Sequence, residues 1–151
     1  MINPNKRQVA QRVARFERVC RDAGVRLTHQ RLDIFREVAQ TSDHPDAEMV
    51  YKRVRERMPT VSLDTVYRTL STLQEYGLIA RVEALDDRGR FDANLEQHHH
   101  FICTECKRVH DIKWPSLDRI KPPGEAKRLG KVHRICAELR GICRSCQTKS
   151  D

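Results

Sequence analysis

The sequence predicts an α+β fold, in which a helical N-terminal half with one β-hairpin is followed by a smaller half of strands and short helices. Two observations support this class. Apolar residues recur at spacings of three and four as far as Gly77, and the pattern then changes to short strand-like runs. The 151 residues suffice for one compact domain or two small ones, and we place a boundary between residues 1–92 and residues 93–151.

Apolar residues at helical spacing predict four helices in the first domain. The first helix carries an apolar stripe and stops at a glycine; these residues are Val9, Val13, Phe16, Cys20, Ala23 and Gly24. Thr28 is expected to cap the second helix, and the third helix spans Asp46–Arg57 and ends before Pro59. Ser62 is expected to cap the fourth helix, whose apolar stripe consists of Leu63, Val66, Leu70 and Leu73.

The pattern after the fourth helix predicts a two-stranded hairpin, since Leu78–Ala84 and Gly89–Ala93 flank the polar segment LDDR. Three helices, a fourth helix with a polar outer face and a hairpin together predict a winged helix-turn-helix. The fourth helix would present a row of polar side chains outward, with Tyr67 at its edge: Thr65, Arg68, Thr69 and Thr72. Such side chains suit a major groove, whereas the alternative is an ordinary packed helix with a solvated face.

The net charge of +8 is unevenly distributed, because residues 1–31 hold eight Lys and Arg residues against Glu17 and Asp22. A basic face suits a polyanion and binds phosphates in a salt-dependent way, although a solvated helix surface has the same pattern. Together with the hairpin, the charge favours binding to double-stranded DNA. The residues predicted to contact DNA are Arg15, Ser62, Thr65, Tyr67 and Arg68.

The chain contains no apolar run near the ~18 residues that cross a bilayer, and its first residues lack a signal-peptide pattern. We therefore expect a cytoplasmic protein, in a compartment where thiols stay reduced. Neither a membrane partner nor a small organic cofactor is expected.

In the second domain, HHHFI and KRVHDI predict two strands around a C-x-x-C turn, and KVHRICAELRGIC predicts a third strand leading to another C-x-x-C. Between them, WPSLDRIKPPGEAKRLG predicts a short helix and a loop. Two C-x-x-C turns can form a tetrahedral four-thiolate site for one structural Zn²⁺ ion per chain, with Cys103, Cys106, Cys143 and Cys146 as ligands. A redox dithiol or disulfides are the alternatives, which the strand context and the reducing compartment disfavour.

If all four zinc ligands are cysteines, nearby histidines and aspartates are available for a second metal. Side chains alternate along a strand, so His98 and His100 would share one face while His99 points to the other. Asp111, Asp92 and His44 are further candidates. A donor set without sulfur suits Fe²⁺ or Mn²⁺ better than Cu⁺, with Zn²⁺ and Ni²⁺ as competitors. The alternative is that each histidine is a surface residue.

Seven segments resemble the ferric uptake regulator family over nearly the whole chain: GVRLTHQR, DHPDAEMVY, VSLDTVYRTLSTLQEYGLI, RFD, HHHFICTEC, VHDI and GICRSC. The resemblance implies an N-terminal winged helix, a small C-terminal α/β dimerisation domain and a regulatory metal at the hinge. The match is closest to the peroxide-sensing branch of that family. It implies one Fe²⁺ or Mn²⁺ per chain, bound by His44, Asp92, His98, His100 and Asp111.

Asp111 is the main indication of the peroxide-sensing branch, because iron-sensing relatives typically have Glu there. Ile135, in contrast, departs from the family, since relatives often have a histidine ligand of an additional metal site at that position. We therefore assign no further site to His99 or His133, and no role to Cys136.

The resemblance also implies a mechanism. Metal would lock a homodimer into a spacing that fits a two-fold symmetric operator, and the protein would act as a repressor and not as an enzyme. Bound Fe²⁺ would react with hydrogen peroxide, and the oxidant would attack His44 or His98, releasing the DNA. An iron- or zinc-uptake regulator of the same fold is the main alternative. A zinc hydrolase and a metal-storage module are others.

Overall fold

A computed structural model describes residues 4–83, 85 and 88–148, and it confirms the predicted α+β class. The chain divides into two compact units between Leu95 and Glu96, whereas the sequence analysis placed the boundary after residue 92. The two units are described separately. No helix among the described residues combines the length and the apolar character that a membrane span requires.

The first unit consists of four helices followed by a hairpin: α1 (Lys6–Asp22), α2 (His29–Ala39), α3 (Ala47–Arg57), α4 (Leu63–Glu75), β1 (Ala80–Val82) and β2 (Arg90–Asp92). Side-chain oxygens at the N-termini of the helices accept backbone N–H groups that have no partner within the helix. Thr28, Asp46 and Ser62 do so for α2, α3 and α4, each bonding the residue three positions later. The predicted caps Thr28 and Ser62 are therefore confirmed, and Asp46, predicted as the first residue of the third helix, is its cap.

The helices bury one shared core. Phe16 of α1 stacks on Phe35 of α2 with ring centroids 4.8 Å apart, and both side chains are fully buried. The stripe of α4 enters the same core through Val66, Leu70 and Leu73. Because α4 uses these residues to pack against α2 and α3, Tyr67, Arg68 and Ser71 on its other faces are exposed.

The hairpin is shorter than the sequence predicts. Strands β1 and β2 pair antiparallel over three residues each, with Arg81 opposite Phe91. Of the predicted strand Leu78–Ala84, residue 84 lies outside the described residues, as do residues 86 and 87 of the predicted LDDR turn. Phe91 and Leu78 join the core and attach the hairpin to the helices.

The second unit contains a three-stranded sheet and three short helices: β3 (His99–Cys103), β4 (Val109–Ile112), α5 (Pro115–Asp118), α6 (Gly124–Leu129), β5 (Glu138–Gly141) and α7 (Arg144–Gln147). The strand order is β4-β3-β5. Strand β4 pairs antiparallel with β3 through the C-x-x-C turn, and β5 pairs parallel with β3 after the crossover through α5 and α6.

The long third strand predicted over residues 131–143 is wrong, since only Glu138–Gly141 forms β5. The Ala137 carbonyl just before β5 accepts the His100 N–H (3.1 Å), and the residues before Ala137 are attached to the strand region by side chains. The Gln97 side chain donates to the Ile135 carbonyl (2.6 Å), and Arg134 donates to the His98 carbonyl (3.3 Å). These side-chain bonds replace strand pairing before His100 pairs with Glu138.

Candidate functional site

Four cysteines of the second unit meet at one end of its sheet. Cys103 ends β3 and Cys106 lies in the following turn, while Cys143 and Cys146 lie before and within α7. The four sulfur atoms all lie within 4.8 Å of one another. The parallel register explains this meeting: Cys103 is opposite Gly141, and the Thr104 N–H donates to the Gly141 carbonyl (2.8 Å).

The thiols of this cluster differ in acidity. The backbone N–H of Cys143 donates to Cys103 Sγ (3.3 Å) and, with other backbone donors, lowers the pKa of the Cys103 thiol to about 6. Hydrogen bonding to the Cys143 side chain, followed by desolvation, raises the pKa of Cys146 to about 12. The negative charge of one thiolate therefore opposes ionisation of the neighbouring thiols. A bound divalent cation would offset this repulsion and stabilise the thiolates. Four adjacent sulfur donors fit Zn²⁺.

Two histidines and an aspartate form a second cluster in the same unit. His98 Nε2 lies 3.0 Å from His100 Nε2, and Asp111 Oδ1 lies 3.6 and 3.8 Å from these nitrogens. The antiparallel register places His100 opposite Asp111. His98 Nδ1 lies 2.7 Å from the Glu96 carbonyl, which only accepts, so Nδ1 carries the proton and Nε2 keeps its lone pair for a metal.

The first unit contributes a separate pair of candidate ligands. His44 Nε2 lies 3.7 Å from Asp92 Oδ2, and both side chains are buried. The other Asp92 oxygen accepts the Asn94 N–H (2.6 Å), which orients the carboxylate at the end of β2. The five predicted regulatory ligands thus form a pair in the first unit and a triplet in the second.

His99 has a structural role. Its side chain is fully buried, and its Nδ1 accepts the Ala137 N–H (3.0 Å). The proton therefore resides on Nε2, which donates to Asp118 Oδ1 (2.9 Å). With both nitrogens engaged, His99 connects β3 to α5 and to the segment before β5.

The remaining two cysteines have different environments. Cys20 is buried in the core of the first unit, where desolvation raises the pKa of its thiol. Cys136 is exposed, and its sulfur lies 3.6 Å from the His98 carbonyl oxygen and 4.0 Å from His100 Nδ1.

The exposed residues of α4 line two different grooves, which the sequence alone does not distinguish. Tyr67 is about half exposed and points toward the hairpin, where it lines a hollow with Arg81. Arg68 points the other way, into a basic groove of about 390 Å³ between α4 and the start of α2. Thr69 was expected to face outward; this is wrong, because it is 5% exposed and packs beneath the groove.

The basic groove includes residues that the sequence analysis missed as a group: Arg26, Thr28, Gln30 and Arg31. The basic run of residues 1–31 contains Arg26 and Arg31, but the sequence predicts Thr28 only as a helix cap. Their positions near an α-helix N-terminus make the groove suitable for a phosphate. Arg68 pairs with Asp64 at 2.9 Å on the open side of this groove.

The other predicted DNA contacts are spread along α4. The Ser62 hydroxyl caps the helix and lies 2.8 Å from the Thr65 hydroxyl, so both are at its N-terminal end. Arg15 of α1 donates to the Gly77 carbonyl (3.4 Å) just beyond the C-terminal end. A helix of 13 residues is roughly 20 Å long, so Arg15 would have to contact a different stretch of DNA.

The ferric uptake regulator family model matches residues 22–138, which is most of the chain and includes both units. The chain belongs to the ferric uptake regulator family. Members of this family are transcription regulators, so the protein is a metal-responsive regulator and not an enzyme. The predicted family is confirmed.

Three proteins with different names are similar to this chain. The peroxide-responsive repressor PerR of Staphylococcus aureus is 32% identical over 129 residues, covering 85% of this chain and 87% of the relative. The Helicobacter pylori ferric uptake regulator Fur shares the fold, with TM-score 0.78, 20% identity and 97% of each chain covered. A zinc uptake regulator complexed with zinc and DNA is 26% identical, with TM-score 0.65 and coverage of 94% and 97%.

Proposed function

We propose that this regulator is a cytoplasmic, homodimeric repressor that senses hydrogen peroxide through oxidation of its metal-ligand histidines. The single observation that carries the proposal is the donor triplet of His98, His100 and Asp111. It contains no sulfur, and its carboxylate is an Asp, whose side chain is shorter than that of Glu. The 32% identity to a peroxide-responsive repressor supports the same branch.

The regulatory site of the proposal joins the pair His44 and Asp92 with the triplet of the second unit around one Fe²⁺ or Mn²⁺ ion. Two ligands each about 2.1 Å from one ion lie roughly 3.0 to 3.6 Å apart for angles between 90° and 120°. The donor separations of 3.0 to 3.8 Å within the triplet and 3.7 Å within the pair are close to this range. Nitrogen and oxygen donors favour Fe²⁺ or Mn²⁺ over soft ions.

The ligand residues would hold an Fe²⁺ ion, which when bound would activate hydrogen peroxide so that one peroxide oxygen enters an imidazole C–H bond and the other leaves as water. By resemblance to the peroxide-sensing branch, His44 or His98 would be the imidazole that takes up the oxygen atom, and both side chains are buried. An oxidised imidazole binds metal poorly, so the affinity of the site for its ion falls. Metal binding then no longer stabilises the DNA-binding conformation. Mn²⁺ would support DNA binding without the reaction.

The experiment that tests the proposed function compares zinc-loaded protein carrying Fe²⁺ or Mn²⁺. With Fe²⁺, micromolar peroxide is expected to release operator DNA and to add one oxygen to the His44 and His98 peptides. With Mn²⁺, DNA binding and peptide masses should stay unchanged. DNA binding that persists with Fe²⁺, without oxidised peptides, would contradict the peroxide-sensing assignment.

A structural Zn²⁺ ion in the four-cysteine cluster, one per chain, is part of the proposal. It would link the end of β3 to α7, beside the edge strand β5. The second unit also exposes several large apolar side chains: Ile120, Leu129, Val132, Leu139 and Ile142. An edge strand and exposed apolar residues in one small unit support its use as the dimerisation surface. A two-fold dimer would match a two-fold symmetric operator on double-stranded DNA.

Arg68→Ala and Tyr67→Ala are each expected to weaken operator binding, because both side chains are exposed on α4, the helix proposed to enter the major groove. Loss of one phosphate contact would reduce the salt slope of binding by about 1. Zinc content and dimerisation should not change, since both residues are exposed in the first unit. Fluorescence anisotropy at several salt concentrations measures the effect. Wild-type affinity in both variants would mean that α4 does not contact DNA.

An iron- or zinc-uptake regulator is the second candidate, and the resemblance to structures of a ferric and a zinc uptake regulator favours it. Such a protein would respond to metal occupancy and not to peroxide. Titration of operator binding with Fe²⁺, Mn²⁺ and Zn²⁺ under anaerobic conditions distinguishes the two. A response to one metal alone, with no effect of peroxide, would support the uptake regulator.

A further inference from the structure

His44 has an unusual backbone conformation for its residue type. Its φ angle is +49°, in the left-handed region that residues with a side chain rarely adopt. The imidazole is 2% exposed and points at Asp92 of the same unit. A strained conformation persists only where the surroundings hold it, so the residues that flank His44 are expected to be anchored.

The residue before His44 is anchored to α3. The Asp43 carboxylate accepts from the Thr41 hydroxyl (2.7 Å) and from both terminal guanidinium nitrogens of Arg53, a two-pronged charged contact. The Thr41 hydroxyl in turn accepts the Asp43 N–H (3.2 Å). A paired guanidinium and carboxylate fix direction as well as distance.

The residues after His44 are anchored to β2 and to the start of α3. The Phe91 N–H donates to the Pro45 carbonyl (3.0 Å), immediately before Asp92. The Asp46 carboxylate caps α3 by accepting the Met49 N–H (2.7 Å). This side of the loop is therefore held by a backbone bond and by the Asp46 carboxylate, whereas on the Asp43 side Arg53 connects the loop to α3.

Arg53 has a close counterpart one helical turn away. Both Arg53 and Arg57 pair with the buried carboxylate of Glu37, at 3.6 and 2.9 Å respectively. Arg57 also approaches Asp33 of α2. Only Arg53 continues to Asp43, so the two arginines share a role in packing α3 on α2 but differ in their contact with the His44 loop.

We propose that Arg53 is a positioning residue, which holds His44 in the left-handed conformation that directs its imidazole toward Asp92. The inference rests on the proposed function in one respect, that His44 and Asp92 are metal ligands. Groups that orient metal ligands typically change metal affinity by 10- to 100-fold when they are removed. Arg53 would act in this way through Asp43 without touching the metal.

The test compares Arg53→Gln with Arg57→Gln in the full-length, zinc-loaded protein. Both variants are expected to lower the thermal midpoint, because both lose a contact with the buried Glu37 carboxylate. Only Arg53→Gln should weaken Mn²⁺ binding, by about tenfold. Arg53→Lys, which keeps the charge but loses the two-pronged geometry, should recover part of the affinity.

Amide hydrogen exchange in protein without the regulatory metal provides a second measurement. Arg53→Gln should accelerate exchange at residues 41–44, and Arg57→Gln should not. Asp43→Asn removes the same ion pair from the loop side and should behave like Arg53→Gln. It replaces Arg53→Gln as the test variant if Arg53→Gln fails to fold. Equal effects of the two arginines on affinity and exchange, or no effect of Arg53→Gln, would overturn the inference.

The exchange measurement also separates this inference from the proposed function. If wild-type protein binds no Mn²⁺ beyond its zinc, the proposed ligand set is wrong. Faster exchange confined to Arg53→Gln and Asp43→Asn would still establish that Arg53 holds the loop.

Discussion

Cys103→Ser and Cys143→Ser are expected to lose the bound zinc and to unfold the second unit. A site of four thiolates that lacks one ligand is open to water and binds Zn²⁺ far more weakly. Structural zinc supplies on the order of 10 kcal/mol of binding free energy in small domains, comparable to the whole stability of a typical domain. The second unit has few fully buried apolar residues, so it depends strongly on that contribution.

Cys136→Ser is the matched control for the zinc prediction. Cys136 lies in the same unit but outside the cluster of four sulfur atoms, so its removal should leave the zinc content unchanged. Metal analysis after extensive dialysis, together with circular dichroism and size-exclusion chromatography, measures occupancy, folding and dimerisation. One tightly held zinc ion per chain in both Cys103→Ser and Cys143→Ser would refute the assignment of the cluster.

Asp111→Glu is expected to preserve metal-dependent DNA binding while abolishing most of the peroxide response. Asp111 Oδ1 lies 3.6 Å from His98 Nε2 and 3.8 Å from His100 Nε2, and its side chain is 28% exposed. An added methylene shifts the carboxylate by about one bond length, which exceeds the ~0.5 Å tolerance of a functional site. Charge and donor atoms are unchanged, so the ion still binds. A longer carboxylate can chelate through both oxygens and occupy the place that peroxide needs.

Asp111→Ala serves as the control, because it removes the ligand and should weaken metal binding itself. Mass spectrometry of the His44 and His98 peptides after Fe²⁺ and peroxide gives the extent of oxidation, and anisotropy gives DNA binding. If Asp111→Glu is oxidised as fast as wild-type protein, the carboxylate length does not control the reaction. The peroxide-sensing branch would then lose its main residue-level support.

The helices of the first unit could be predicted because their signals are local. Thr28, Asp46 and Ser62 cap the helices that the apolar spacing predicts, and a cap requires only residues within one turn. The two C-x-x-C turns are local as well. Their meeting depends on the parallel pairing of β3 with β5, which spacing along the chain does not specify.

Errors arose where a long-range contact overrides a local pattern. Thr69 has a polar side chain at an outward-looking position, yet it is buried on a helix that packs against α2 and α3. Residues 131–137 have the alternation of a strand, yet side chains of Gln97 and Arg134 make the contacts there. In both cases a neighbour distant in sequence decides the environment, and periodicity contains no information about that neighbour.

The sequence by itself determined the donor types, the helix caps and the family, because each depends on which residues occur at short, recognisable spacings. The tertiary structure alone decided three further features. It directs Tyr67 and Arg68 to different sides of α4, engages both nitrogens of His99, and brings Arg53 to Asp43 beside the left-handed His44. Each of these depends on which other elements lie beside the residue, and packing alone sets the distance and direction between those elements.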